Sequence, residues 1–247
     1  MTGSVATREH DPRGTLADLR EEAPRVLARV QERGLQARAV GGLAVWLRCP
    51  SARQPPLARE YKDLDLVAAL SDAPELAVTL GDLGYRADEE FNALHGHQRL
   101  YFWDAAHGRQ LDVFVDEMRM CHTLDLRGRV AAERDTLPVA DLLLAKLQVV
   151  EINEKDLQDA AALLADHEVP AERVVEVLAG DWGWWRTATE TLEKVAAYAG
   201  ARVQAVAERV ATLRAAIDAA PKSRRWKLRA KVGERKRWYE QPEEIEG

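Results

Sequence analysis

The stretch Lys62-Asp63-Leu64-Asp65-Leu66-Val67 constrains this chain more than any other. Leu64, Leu66 and Val67 give it the apolar content of a β-strand. In a strand, residues two apart project from one face, so Asp63 and Asp65 converge with Cα atoms about 6 to 7 Å apart. Two carboxylates at that range raise one another's pKa and weaken the strand that carries them. The pair belongs either on a solvent-facing strand, with Leu64 and Leu66 turned to the core, or beside a cation. Mg²⁺ is a hard ion that takes carboxylate oxygens and completes its shell with water and substrate phosphates, so the motif is a candidate magnesium clamp.

At 247 residues, 47% hydrophobic and 31% charged, the chain has the make-up of a soluble globular protein of one large or two modest domains. No apolar run approaches the roughly 18 to 20 residues of a membrane helix. The N-terminal MTGSVATREHDPRG lacks the apolar core of a signal peptide, so the expectation is a cytoplasmic protein with no membrane partner. The two cysteines, Cys49 and Cys121, are too few for a disulfide framework, and neither has a Cys or His partner at zinc spacing. Charge is unevenly spread: residues 222–237 hold nine Lys or Arg and one acid, Glu234, a net +8 in a chain whose total is −6. An acidic body with a basic tail points to a polyanionic partner.

Along the chain, residues 1–14 read as a disordered leader. A helix is expected over 15–34, with Thr15 as N-cap, Gly34 as stop and Pro24 as a kink or break. A short strand over 35–40 runs into Gly41-Gly42, and 43–47 reads as a short helix. After the proline-containing loop 49–59 comes the acidic strand, then a helix over 71–84 with Ser71 before it. Strands at 99–103 and 110–116, joined by Ala106-His107-Gly108, form an expected antiparallel hairpin, with a further short strand near 123–126. Beyond Pro138 the pattern is helical alone, at 139–151, 154–167, 171–178, 184–199 and 201–219. The fold class is therefore α+β. The expected domains are 15–135 as a mixed α/β unit, 136–220 as a helical unit and 221–247 as a basic tail.

Three further features bear on chemistry. Gly41-Gly42, between a strand and a helix, lets the backbone approach an anion, where a helix start offers unpaired N–H groups to phosphate. Asp112 alternates with Leu111, Val113 and Val115, so it faces away from them and becomes a third carboxylate if its strand lies beside that of Asp63; Asp116 competes for the same role. Lys146 has Leu142, Leu143, Val149 and Val150 as its helical neighbours, and a lysine centred on an apolar stripe must snorkel out or meet an anion.

The order Gly41-Gly42, then Arg59-Glu60-Tyr61-Lys62-Asp63-Leu64-Asp65, then Leu111-Asp112-Val113 resembles the nucleotidyltransferase superfamily, the polymerase-beta-like fold. Lys146-Leu147-Gln148 followed by Lys155-Asp156-Leu157-Gln158-Asp159 is similar to the second half of the AbiEii-type nucleotidyltransferases, which include toxins of bacterial toxin-antitoxin pairs. The resemblance covers residues 36–166. It implies a nucleotidyltransferase-like mixed sheet with flanking helices, nucleoside triphosphate as substrate, two Mg²⁺ ions (or Mn²⁺) as cofactor and an antitoxin protein as a partner. It implies Asp63, Asp65 and Asp112 as metal ligands and, with Lys146, as catalytic groups. Gly41, Gly42, Arg59, Lys62 and Asp156 would bind substrate. Two departures stand out: Tyr61 occupies a position where Ser or Thr is usual, and the loop between Gly42 and Asp63 is long. Asp156 and Asp159 also read as a solvated helix face with a Lys155 to Asp159 pair.

The expected reaction is transfer of a nucleoside monophosphate to an acceptor hydroxyl with loss of pyrophosphate. In the tail, Lys222-Ser223-Arg224-Arg225-Trp226-Lys227-Leu228-Arg229 and Arg235-Lys236-Arg237-Trp238-Tyr239 interleave cations with aromatics, a mix that suits RNA. The rivals are the same chemistry on a small molecule such as an antibiotic, and a silent module that binds nucleotide or RNA. Trp182, Trp184 and Trp185 either line an acceptor pocket or cap the helical core.

Overall fold

The computed structural model describes residues 14–241. The expected leader, apart from Gly14, and the last six residues of the tail lie outside the described residues.

Helix α1 (Leu19–Glu32) is capped by Asp18, whose side chain accepts from the Arg20 N–H, rather than by Thr15, whose hydroxyl instead donates to Asp104 at 2.7 Å. Pro24 does not break it. A proline there forfeits one backbone bond, and burial of Ala23, Val26, Leu27 and Val30 along one stripe outweighs that loss. Strand β1 (Ala37–Val40) runs directly into α2 (Gly41–Arg48), so the helix begins at the glycine pair itself. Then follow a turn of 3₁₀ helix at Pro50–Arg53, β2 (Leu64–Ala68), α3 (Ala73–Asp82), β3 (Arg86–Ala87), α4 (Glu89–His95), β4 (Arg99–Asp104) and β5 (Arg109–Val115). A small hairpin, β6 (Glu117–Arg119) with β7 (Thr123–Asp125), follows.

The five-stranded sheet has the order β1-β2-β5-β4-β3, with β2 and β5 parallel and every other pair antiparallel. Alternation sorts its faces. Leu64 and Leu66 lie opposite Leu111 and Val113, all four fully buried, while Asp65 lies opposite Asp112 on the other face. The helical half comprises α5 (Val139–Leu147), α6 (Glu154–Asp166), α7 (Ala171–Gly180), α8 (Trp182–Ala199), α9 (Gln204–Ala219) and α10 (Arg224–Val232). This is the expected α+β architecture. No described helix is long and apolar enough to cross a membrane.

Four details differ from the sequence pattern. Helix α4 and strand β3 were not expected; α4 has no buried residue to give it a stripe, and it forms on an Asp88 cap that accepts from the Phe91 N–H. Helix α5 stops at Leu147, because Asn153 caps α6 and the intervening residues make the turn. Ser71 is not the cap of α3: its hydroxyl donates to Asp72, which takes the cap position. The tail packs on the helical half. Ser223 donates to the Gly180 carbonyl, Trp226 meets Trp185 edge-on with centroids 5.3 Å apart, and the Glu240 N–H reaches the Cys121 carbonyl.

The two halves are clasped through Asp141 on α5, which is fully buried. It accepts from Arg129, in the segment leaving the sheet, and from Arg173 on α7, at 2.8 and 2.9 Å. Asp141→Ala should lower unfolding stability by about 3 kcal/mol in urea titration. That is the low end for breaking a buried pair, since both arginines keep some solvent contact. An unchanged midpoint would show that the clasp carries no load.

Candidate active site

The site grows from the register of β2 on β5. Asp65 and Asp112 are directly paired residues of neighbouring parallel strands on the same face, and Asp63 sits in the exposed approach to β2, one residue before the strand begins. The expectation of two aspartates inside one strand is corrected to one inside and one at its threshold. The clustering that matters is across strands.

Burial, then the charges of Asp63 and Asp112, push the Asp65 carboxyl up to about 8, against the pull of Lys146 and Arg99. Asp112 is buried and also raised, by burial first, with Arg99 working against it. Arg99 on β4 places Nε and Nη2 each 2.8 Å from Asp112 Oδ1 and lies over the Phe114 ring. Asp116 is excluded from the cluster by its backbone. It is the one non-glycine described residue with positive φ, at 59°, and its carboxylate accepts from the Leu70 N–H, so it shapes the corner after β5.

The glycine pair has a steric reason. Gly41 has a φ of 71°, and a Cβ there would lie 2.1 Å from Asp65 Oδ2; a Cβ on Gly42 would lie 2.0 Å from an Arg59 guanidinium nitrogen. The start of α2, with its unpaired N–H groups, is thus held beside a carboxylate and an arginine.

Lys146 is buried and, of the two outcomes open to it, meets anions rather than snorkelling out. They are protein carboxylates: Asp156 at 2.7 Å and Asp159 at 2.8 Å. Burial works against its charge, and the two aspartates more than reverse that, so its pKa is raised. Asp159 is no member of a solvated face. Burial would raise it, and Lys146 and Arg59 hold it below the ordinary carboxylate range. Arg59 grips Asp159 with two bonds of 2.8 Å and stacks over Tyr61 at 4.3 Å. The buried Tyr61 hydroxyl has no protein partner.

A cleft of about 590 Å³, which reaches Lys62 next to Asp63 in sequence, is lined by Arg20, Arg59, Lys62 and Arg109 together with the acids Asp18 and Glu60. Beyond Arg99 a second cavity, about 370 Å³, is lined by Phe91, His95, Phe114, Glu117 and Glu240. Sequence reasoning missed Arg99. The hairpin register sets Tyr101 opposite Asp112 and Arg99 opposite Phe114, so Arg99 is diagonal to Asp112, a placement that exact strand pairing alone reveals.

The donor set fits a magnesium ion. Burial and the neighbouring carboxylates favour the protonated form of Asp65, a preference that a bound cation would reverse, and Asp112 and Asp63 flank it. Among the described residues no three acidic, His or Cys groups form a ready-made cage. A hard ion held here would take one or two of these carboxylates and leave its remaining positions to water and phosphate.

No protein-family model matches the chain, and no curated protein matches it. Solved structures do. One is the solution structure of the antibiotic-resistance factor ANT(2'')-Ia, 15% identical, covering 86% of this chain and 95% of that one with a TM-score of 0.39. Another is the crystal structure of an antigenic nucleotidyltransferase-like protein from Paracoccidioides brasiliensis, 11% identical, covering 85% and 96% with a TM-score of 0.38. Likeness this loose carries no weight for activity, which rests on the site's own geometry.

A raised carboxyl binds its proton more tightly folded than unfolded, so its contribution is full below about pH 4 and is lost as pH climbs to about 8. In EDTA, wild type should therefore lose melting temperature relative to Asp65→Asn between pH 5 and 8, and Mg²⁺ at pH 8 should restore it in wild type alone. Parallel pH profiles for the two proteins would show that Asp65 is not under this strain.

Proposed function

We propose that this chain is a metal-dependent nucleotidyltransferase. The observation that carries the reading is the cross-strand pairing of Asp65 with Asp112, with Asp63 at the strand threshold and a glycine-started helix against Asp65. Asp63, Asp65 and Asp112 would hold Mg²⁺, which when bound supplies charge neutralisation for a triphosphate.

The chain's own groups do the rest. An acceptor hydroxyl attacks the α-phosphorus in line, the bond to the pyrophosphate oxygen breaks, and the hydroxyl proton leaves to Asp112, whose raised affinity for a proton suits a base. Gly41 and Gly42 give phosphate oxygens close access to the start of α2. Arg59 and Lys62, which line the cleft with Arg20, Arg109, Asp18 and Glu60, would face the polyphosphate. Lys146 keeps Asp159 and can exchange Asp156, the more exposed of its two partners, for a phosphate oxygen. Asp156 then orders the lysine in the absence of substrate.

On the acceptor, the AbiEii-type reading takes RNA, and its support is the basic, aromatic C-terminal segment. The second reading, a small hydroxyl compound such as an antibiotic, is supported by the 370 Å³ cavity that has Phe91, Phe114, Glu117, Glu240 and Arg99, the partner of Asp112, in its wall.

Each α-³²P nucleoside triphosphate incubated with Mg²⁺, total RNA and a panel of small hydroxyl compounds should yield a labelled acceptor with wild type. Label should fall at least about 10³-fold in Asp63→Ala and in Asp65→Ala, the scale expected for removing charge stabilisation at a reacting phosphate. Both variants should keep the wild-type circular dichroism spectrum. Near-full transfer by either variant would sink the assignment.

A further inference from the structure

We propose that Arg99 sets the cation preference of the carboxylate site, by confining Asp112 to a single free oxygen and so favouring Mg²⁺ over Ca²⁺. The inference rests on the reading of Asp63, Asp65 and Asp112 as cation ligands. Arg99 acts through Asp112 and is a positioning residue.

The strand pattern puts Arg99 where it can do this. Along β4, Leu100 and Phe102 turn to the core, and Arg99 lies on the face that Asp112 occupies on β5. It stands opposite Phe114, two residues from Asp112, so its side chain crosses the strand pair on the diagonal. The guanidinium lies 5.3 Å from the centre of the Phe114 ring, within reach of a cation–π contact that limits its swing. Glu117, in the wall of the same cavity, is paired with Arg119 and Arg127, which leaves Arg99 to Asp112.

The contact is one-sided. Nε and Nη2 both reach Oδ1, each at 2.8 Å, and among the described residues no donor reaches Oδ2. The grip of Arg59 on Asp159 is the contrasting arrangement, with one nitrogen on each oxygen. A carboxylate has about four lone-pair sites on its two oxygens, and two donors on Oδ1 take both of that oxygen's share. The Asp112 side chain is only 7% exposed, so little water is at hand to replace Arg99. Turning Oδ1 to a cation therefore breaks two charge-assisted bonds. Oδ2 keeps its own lone pairs, one for a cation and one for the proton of an acceptor hydroxyl.

The number of oxygens on offer separates two ions of equal charge. Ca²⁺ gathers the larger set of oxygens and accepts both from one carboxylate, whereas Mg²⁺ is smaller, demands octahedral geometry and keeps several waters. An aspartate that gives one oxygen suits Mg²⁺ and denies Ca²⁺ a ligand.

The test is competition for bound Mn²⁺ on the full chain, read from the electron paramagnetic resonance signal of free Mn²⁺, with Mg²⁺ or Ca²⁺ as competitor and no nucleotide present. The quantity read is the ratio of Ca²⁺ to Mg²⁺ affinity, because loss of a positive charge strengthens both ions alike and cancels in the ratio. Arg99→Gln should raise that ratio about tenfold by returning Oδ1 to the site. Arg99→Lys keeps the charge but replaces the fork by a point donor, and should give an intermediate rise. Loss of the fold would abolish Mn²⁺ binding rather than shift the ratio, and Arg99→Lys carries the test if Arg99→Gln does not fold. A wild-type ratio in every variant that keeps the wild-type circular dichroism spectrum would overturn the role of Arg99. If Mn²⁺ is then still bound, and is lost in Asp65→Asn, the nucleotidyl-transfer reading stands without it. The predicted shift in a protein that transfers no label to any acceptor would sink that reading and keep Arg99 in its role. Failure of the wild type to bind Mn²⁺ would overturn both.

Discussion

Repulsion between Asp65 and Asp112 is the constraint around which this half of the molecule is arranged. A parallel register that sets two carboxylates side by side, one of them buried, costs stability unless something positive answers it. The protein supplies partial answers from three directions: Arg99 from the neighbouring strand, the field of Lys146 from α5, and the N–H-rich start of α2. None neutralises Asp65, whose proton affinity stays far above that of an ordinary aspartate. A bound cation would relieve that tension.

The helical half takes part in the site through a buried chain of charges. Asp159 on α6 is shared by Lys146 on α5 and by Arg59, which comes from the long loop ahead of β2. Arg59 in turn lies over Tyr61 and against Gly42. Packing of α5 and α6 therefore sets where the loop sits and how closely α2 approaches it. A disturbance in the helices should be felt at the carboxylates, since a buried ionic network with one member missing leaves the others unpaired.

Much of this could be read before the fold was known. The alternation around Asp112 put it on the face away from Leu111 and Val113, where it lies opposite Asp65, because strand periodicity is a local property; the two-residue spacing suggested one strand for Asp63 and Asp65, and Asp63 lies just outside it. The apolar stripe around Lys146 left it either to snorkel out or to meet an anion, and did not show that two protein aspartates would be that anion. The choice between Asp112 and Asp116 needed the register of β5 on β2 and the backbone conformation of Asp116, neither of which is local. Arg99 was hidden for the same reason. Helix α4 escaped notice because it buries no residue, so its sequence carries no periodic signal. The tail's Trp226 and Trp238 were visible as composition, while their anchoring on Trp185 and Thr187 is a tertiary fact.

The nucleotide site proposed at Asp65 and Asp112 depends on a cation. Its most direct test is calorimetric titration of the protein with a non-hydrolysable nucleoside triphosphate, with Mg²⁺ present and again in EDTA. Saturable binding that requires Mg²⁺, and that disappears in Asp65→Asn, is the result the account predicts. Binding of equal affinity in EDTA, or binding undiminished in Asp65→Asn, would contradict it.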